Sequence, residues 1–232
     1  MNISTANMPP AIYARFAGLL YLIIIVFGIS SEFFIRASLI VPGDASATAS
    51  NIVASQSLFR LGFVFDSIML LADVAIAIIF YVLFKPVNQI ASLIAAAFRL
   101  MQAAILGFNL LNYHAALLLA SGEGYLAAFK DKDLHSLAMF FLDLHSHGYD
   151  LGLIFFGVSN LILGYLVIKS NYFPLSLGYG LIGGALVYLL GSYSHFIFPD
   201  QASLMEPLYI IPLLAELSFC LWLLLRGIRA QN

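Results

Sequence analysis

The sequence predicts an all-α protein, an integral membrane bundle of six transmembrane helices with two short interfacial segments on the outer side. Composition is the first observation behind this. Of 232 residues, 62% are hydrophobic and 9% charged, and mean hydropathy is +0.98. A soluble domain carries roughly a quarter charged residues because it must present polar surface to water; here the solvent implied for most of the surface is membrane lipid. The second observation is that the apolar residues gather into six stretches, each near the roughly 20 residues needed to cross a hydrocarbon core. The third is that no connection is long enough for a soluble domain, so residues 1–232 read as a single transmembrane helical domain.

The elements follow in order. Met1 to Arg15 is polar, contains Pro9-Pro10 and lacks a small-residue cleavage site, which predicts a first span that stays in the membrane. The spans are expected at Ala14–Ile35, Leu58–Phe84, Gln89–Leu119, Leu137–Ile168, Leu175–Phe198 and Leu208–Leu225. The second, third and fourth exceed the minimum length and so tilt, protrude or begin at the interface. Lys85-Pro-Val-Asn88 and Lys169-Ser-Asn-Tyr-Phe-Pro174 are tight turns with a helix-breaking proline. Between Arg36 and Ser57, Pro42-Gly-Asp44 reads as a turn and an Asp N-cap, followed by a short surface helix. Gly124 to Phe129, ahead of Lys130-Asp-Lys-Asp133, reads as the second surface segment. Arg15, Lys85, Lys169, Arg226 and Arg229 fall on one side against Arg36, Lys130 and Lys132 on the other. That bias predicts a multi-pass protein of the inner (plasma) membrane with both termini cytoplasmic.

Net charge −2 gives no basic footprint for nucleic acid. The lone Cys220 excludes an intrachain disulfide and any cysteine-rich metal site. Gly178, Gly180, Gly183, Gly184 and Gly191 make the fifth span a small-residue helix suited to close packing.

Chemistry is expected where ionisable residues enter the spans. An Asp or Arg at a helix centre costs about 2.5–3.5 kcal/mol against lipid, so such groups should converge on one another or on water. Arg60 and Arg99 face five acids, Asp66, Asp73, Asp143, Asp150 and Glu216. The surplus negative charge must be cancelled by protonated carboxylates, by charged imidazoles among His145, His147 and His195, or by a bound cation. Asp143, His147 and Asp150 share one helical face, with His145 nearly opposite. That trio, with His195, is a candidate set of ligands for a divalent metal. Asp66 and Asp73 stack on one face of the second span, while Arg99, Gln102, Asn109 and Tyr113 form a stripe on the third. Arg99 is therefore the expected partner of an aspartate on the second or fourth span. Glu216 follows Pro212, whose missing amide would free a carbonyl in a kinked helix.

Several segments together resemble a bacterial family of multi-pass membrane proteins catalogued as the domain of unknown function numbered 4386. They include Leu39-Ile-Val-Pro-Gly-Asp44, Phe59-Arg-Leu-Gly62, Tyr81-Val-Leu-Phe-Lys-Pro-Val-Asn88, Phe98-Arg-Leu100, Phe141-Leu-Asp-Leu-His145 with Gly148-Tyr-Asp150, and Glu216 ahead of Leu221-Trp-Leu-Leu-Leu225. The resemblance implies a membrane bundle and brings no activity with it. Three functions stay open on the sequence: binding or moving a small ligand, ion or proton through the buried Asp/Arg/His cluster, intramembrane metal-dependent hydrolysis or lipid modification, and a structural or assembly role. Asp143, His147, Asp150, Asp66, Asp73, Arg99 and Glu216 are the binding candidates.

Overall fold

A computed structural model of the protein describes residues 10–122 and 124–228; Met1–Pro9, Glu123 and Arg229 lie outside the described residues. The described residues form helices and turns, with no strand among them. Six helices are long and apolar enough to cross a membrane: Ala11–Leu39, Gln56–Phe84, Gln89–Ser121, Asp131–Ser170, Leu175–Ile197 and Pro199–Leu225. They are called the first to sixth spans below.

Local chemistry sets the ends. Asp44 accepts a hydrogen bond from Ala47 N at 2.9 Å and so caps the short helix Ala45–Ala54. Thr48 fixes the preceding turn by accepting from Val41 N at 2.9 Å and donating to Val41 O. This helix does not merely lie on the surface. It buries Thr48, Ala49 and Ile52 in a core shared with Ile35, Leu39, Phe59 and Tyr113. Asn88 caps the third span by accepting from Ala91 N at 3.0 Å. Asn171, at φ 57°, takes the left-handed conformation that ends the fourth span.

Three features depart from the sequence expectation. The first span is α-helical to Ile29, then π-helical over Ser30–Arg36, where the Ala37 amide reaches back five residues to Glu32 O. This widened turn buries Ser31, Ile35 and Arg36 and leaves Phe33 and Phe34 on the outside. The fourth span starts at Asp131 rather than Leu137 and runs 40 residues, about 60 Å. Asp131 and Asp133 in its first turn complement the helix dipole, so the charged run begins a helix instead of preventing one. In the sixth span Pro199–Tyr209 is a 3₁₀-helix and the α-helix begins at Ile210. Pro212 therefore sits in its first turn, where a missing amide costs little, and makes no mid-helix kink.

The chain clusters into two compact units. The first holds the described residues up to Leu22, together with Asp73–Leu100 and those from Ile154 onward; the second holds Ile23–Ala72 and Met101–Leu153. In the first, Tyr21, Phe80, Phe84, Phe173 and Phe219 pack edge to face or tilted around a common centre. The glycines of the fifth span earn close approach there. A Cβ on Gly178 would lie 2.8 Å from Gly164 O, and one on Gly184 would lie 2.9 Å from Pro212 Cα. In the second unit Phe59 and Tyr113 stack at 4.0 Å between ring centres, beside a smaller core of Met69, Leu70, Ala103, Leu106 and Leu110.

Candidate functional site

Six ionisable acids and arginines are buried among the described residues: Arg36, Asp66, Asp73, Arg99, Asp150 and Glu216. The division of the chain sorts them evenly. Asp73, Arg99 and Glu216 belong to the first unit; Arg36, Asp66 and Asp150 belong to the second. Each unit thus buries one guanidinium and two carboxylates.

In the first unit Arg99 extends from the third span to Asp73 on the second. Its Nε donates to Asp73 Oδ1 at 2.7 Å and its Nη2 lies 2.6 Å from the same oxygen. Both side chains are 2% exposed. Aromatic rings enclose the guanidinium, with Cζ 4.8 Å from the centre of Phe156, 5.4 Å from Tyr21 and 5.9 Å from Phe80. Ring faces carry partial negative charge and so offset part of the cost of burying a cation. Glu216 is built differently. Asn160 Nδ2 donates to its Oε1 at 3.0 Å, and the Tyr188 phenol interacts with its carboxylate, while the nearby Tyr21 hydroxyl is buried without a hydrogen-bond partner. Arg99 is paired with Asp73 and also acts on Glu216 through its charge.

In the second unit Arg36 is the hub. Its Nε donates to Glu32 Oε2 at 2.7 Å, and its Nη1 donates to Ser31 Oγ at 2.9 Å and Asp66 Oδ2 at 2.6 Å. Glu32 is 59% exposed, whereas Asp66 is 3% exposed, so the arginine connects an outside carboxylate to an inside one. The π-helical turn makes this possible, because it brings Ser31 and Arg36 inward while Glu32 stays outward. Beside it Asn109 Nδ2 donates to His145 O at 2.7 Å, His145 Nδ1 lies 3.2 Å from Asn109 O, and Tyr113 donates to Phe59 O at 3.0 Å.

The sequence-predicted residues divide accordingly. Asp73 with Arg99 is the expected interhelical pair. Asp66 is buried and paired with Arg36. Arg60 is exposed, while Arg36, expected in the outer connection, lies inside the first span. Asp143 and His147 are exposed, and His147 Nδ1 is 2.8 Å from the Asp143 carbonyl of its own helix. Asp150 is buried, and so is His145 on the opposite side of the helix. Asp143 stands 26 residues from Lys169, about 39 Å along the helix and beyond a hydrocarbon core of about 30 Å. Among the described residues no group of three or more His, Cys, Asp or Glu could hold a metal ion. Asp143, His147 and Asp150 thus do not assemble into the anticipated ligand set, and the half-buried His195 belongs to the other unit. Charge counting passed over Asn160, Tyr21 and Tyr188; the signal available was a lone amide, Asn160, in an otherwise apolar run.

Comparison with known proteins adds the following. A family model described as "Domain of unknown function (DUF4386)" matches residues 16–227. An uncharacterized protein of Archaeoglobus fulgidus is 27% identical over 160 residues, 69% of this chain and 80% of its own length. No solved structure matches the chain.

Proposed function

The chain belongs to the DUF4386 family, and from that premise we propose that it is a multi-pass membrane protein that binds and carries a proton at Glu216. The observation that supports this is the pairing of the first unit. Asp73 makes a direct ion pair with Arg99, while Glu216, also buried, accepts its hydrogen bond from the neutral Asn160 amide. Asp73 and Asp66 are then fixed counter-charges, and Glu216 is the group free to change charge.

Depth reinforces the reading. Glu216 is ten residues from Arg226, about 15 Å along the helix and half of a hydrocarbon core. A carboxylate at that level is costly when ionised, and such groups mark ion or proton paths. A proton fits better than a metal cation. A cation needs several oxygen ligands, whereas Asn160 turns an N–H toward the carboxylate and a guanidinium lies in the same unit. The membrane is the plasma (inner) membrane in this reading, with both termini on the cytoplasmic side. Burial of Arg36 takes it out of the opposing loop charges, which sharpens the basic bias toward the side of Lys85, Lys169 and Arg226.

The test is proton flux into liposomes loaded with a pH-sensitive dye. Glu216→Gln keeps a carbonyl for Asn160 but cannot carry a proton, and it is expected to lower flux roughly 100-fold. Asp143→Asn, on the exposed face, is expected to leave it unchanged. Equal flux from E216Q and the unaltered protein would sink the proposal and leave Glu216 a structural residue.

A further inference from the structure

We infer that the first unit binds one ordered water molecule against Arg99, in a site formed by Arg99, Ser92 and Ser159. The site is independent of proton carriage at Glu216.

The Arg99 guanidinium has five N–H groups and no acceptor. Nε of Arg99 donates to Asp73 Oδ1, and Nη2 lies 2.6 Å from the same oxygen without making a hydrogen bond to it. Nη1 is buried and has no protein partner within hydrogen-bond range. Arg99 also lines a cavity of about 10 Å³, whose other polar residues are Ser92 and Ser159 and whose remaining walls are apolar, Phe80, Phe84 and Leu163 among them. That is the space one water-sized sphere occupies.

The polarity of the lining selects the occupant. Ser92 donates its hydroxyl proton to Gln89 O at 3.0 Å, and Ser159 donates its own to Ala95 O at 2.8 Å. Both Oγ atoms are thereby left as acceptors only. The guanidinium supplies N–H donors and the two serines supply acceptors, the complement of a water that accepts from Arg99 and donates twice. An anion would meet serine lone pairs, a cation would meet the guanidinium, and an apolar occupant would leave Nη1 unmatched. A buried water usually makes about three hydrogen bonds, the number available here.

The experiment is a structure of the full chain in lipid nanodiscs at a resolution that shows ordered water. The expected result is a density peak about 2.7–3.2 Å from Arg99 Nη1, Ser92 Oγ and Ser159 Oγ. In S92A/S159A the peak should vanish while the Arg99–Asp73 pair persists. If that variant does not fold, S159A alone must lower the occupancy of the peak. A map without the peak in the unaltered protein overturns the site. So does an anomalous bromide signal there after halide exchange, which would make the ligand an anion.

Discussion

Replacing Asp73 by Asn removes the charge that holds Arg99 and little else, because Asn is nearly isosteric. The structure sets the expected cost. Both partners are 2% exposed, and the oxygen that would be lost as an anion takes both the Nε contact at 2.7 Å and the Nη2 contact at 2.6 Å. Removing one partner of a buried ion pair costs about 3–5 kcal/mol, because the other charge stays desolvated. The Asn carbonyl can still accept one hydrogen bond, worth about 1 kcal/mol. The net expectation is therefore about 2–4 kcal/mol. The rings of Phe156, Tyr21 and Phe80 are present in both proteins and do not change the difference. The informative control is the double variant Asp73→Leu with Arg99→Met. It removes both charges and, by the same reasoning, should be less destabilised than D73N alone. Unfolding in mixed micelles, followed by fluorescence of the single Trp222, measures all three. A loss under about 1 kcal/mol for D73N, or a double variant weaker than D73N, would refute the claim that Arg99 depends on Asp73 for its charge balance.

The remaining expectations use the second unit. Glu32→Gln should cost no more than about 1 kcal/mol in the same unfolding assay, because Glu32 is largely exposed and its pair with Arg36 is screened. Tyr113→Phe keeps the stack on Phe59 but deletes the 3.0 Å bond to Phe59 O, with an expected loss of about 1 kcal/mol. Gly148→Ala places its methyl on the Asn109 amide, which holds His145 O and accepts from Asn112. Displacing that amide is expected to cost about 1–3 kcal/mol despite the better helix propensity of Ala, and native-state hydrogen exchange should speed up around Asn109. Asp143→Asn combined with His147→Ala is expected to leave the unfolding midpoint unchanged, because both residues are exposed.

The six spans were legible because length and apolarity alone define them, and the Asp44 cap and the Lys85-Pro86 turn because each depends on its own few residues. The π-helical turn was not. Nothing in Ser30–Arg36 differs from ordinary helix in periodicity; the extra residue is accommodated by what Arg36 finds across the second unit, Asp66, and that is tertiary information. Helical spacing put Asp143, His147 and Asp150 on one face and His145 opposite, but spacing cannot say how deep each member of a face lies. With the helix starting at Asp131, Asp143 and His147 are exposed while Asp150 is buried on the same long helix, and His145 lies inside.

Burial also changes the charge count from which a site was first inferred. Arg60 and Asp143 leave the buried set and Arg36 enters it, so the acidic surplus shrinks from three groups to two, one in each unit. A surplus carboxylate need not attract a counter-ion if neutral donors meet it, and in the first unit Asn160 does so for Glu216. Charge counting registers Asp73 and Glu216 as equivalent acids. Their partners make them different: an acid locked to a guanidinium cannot change charge without leaving that cation stranded, whereas an acid held by a neutral amide can do so while that amide stays in place.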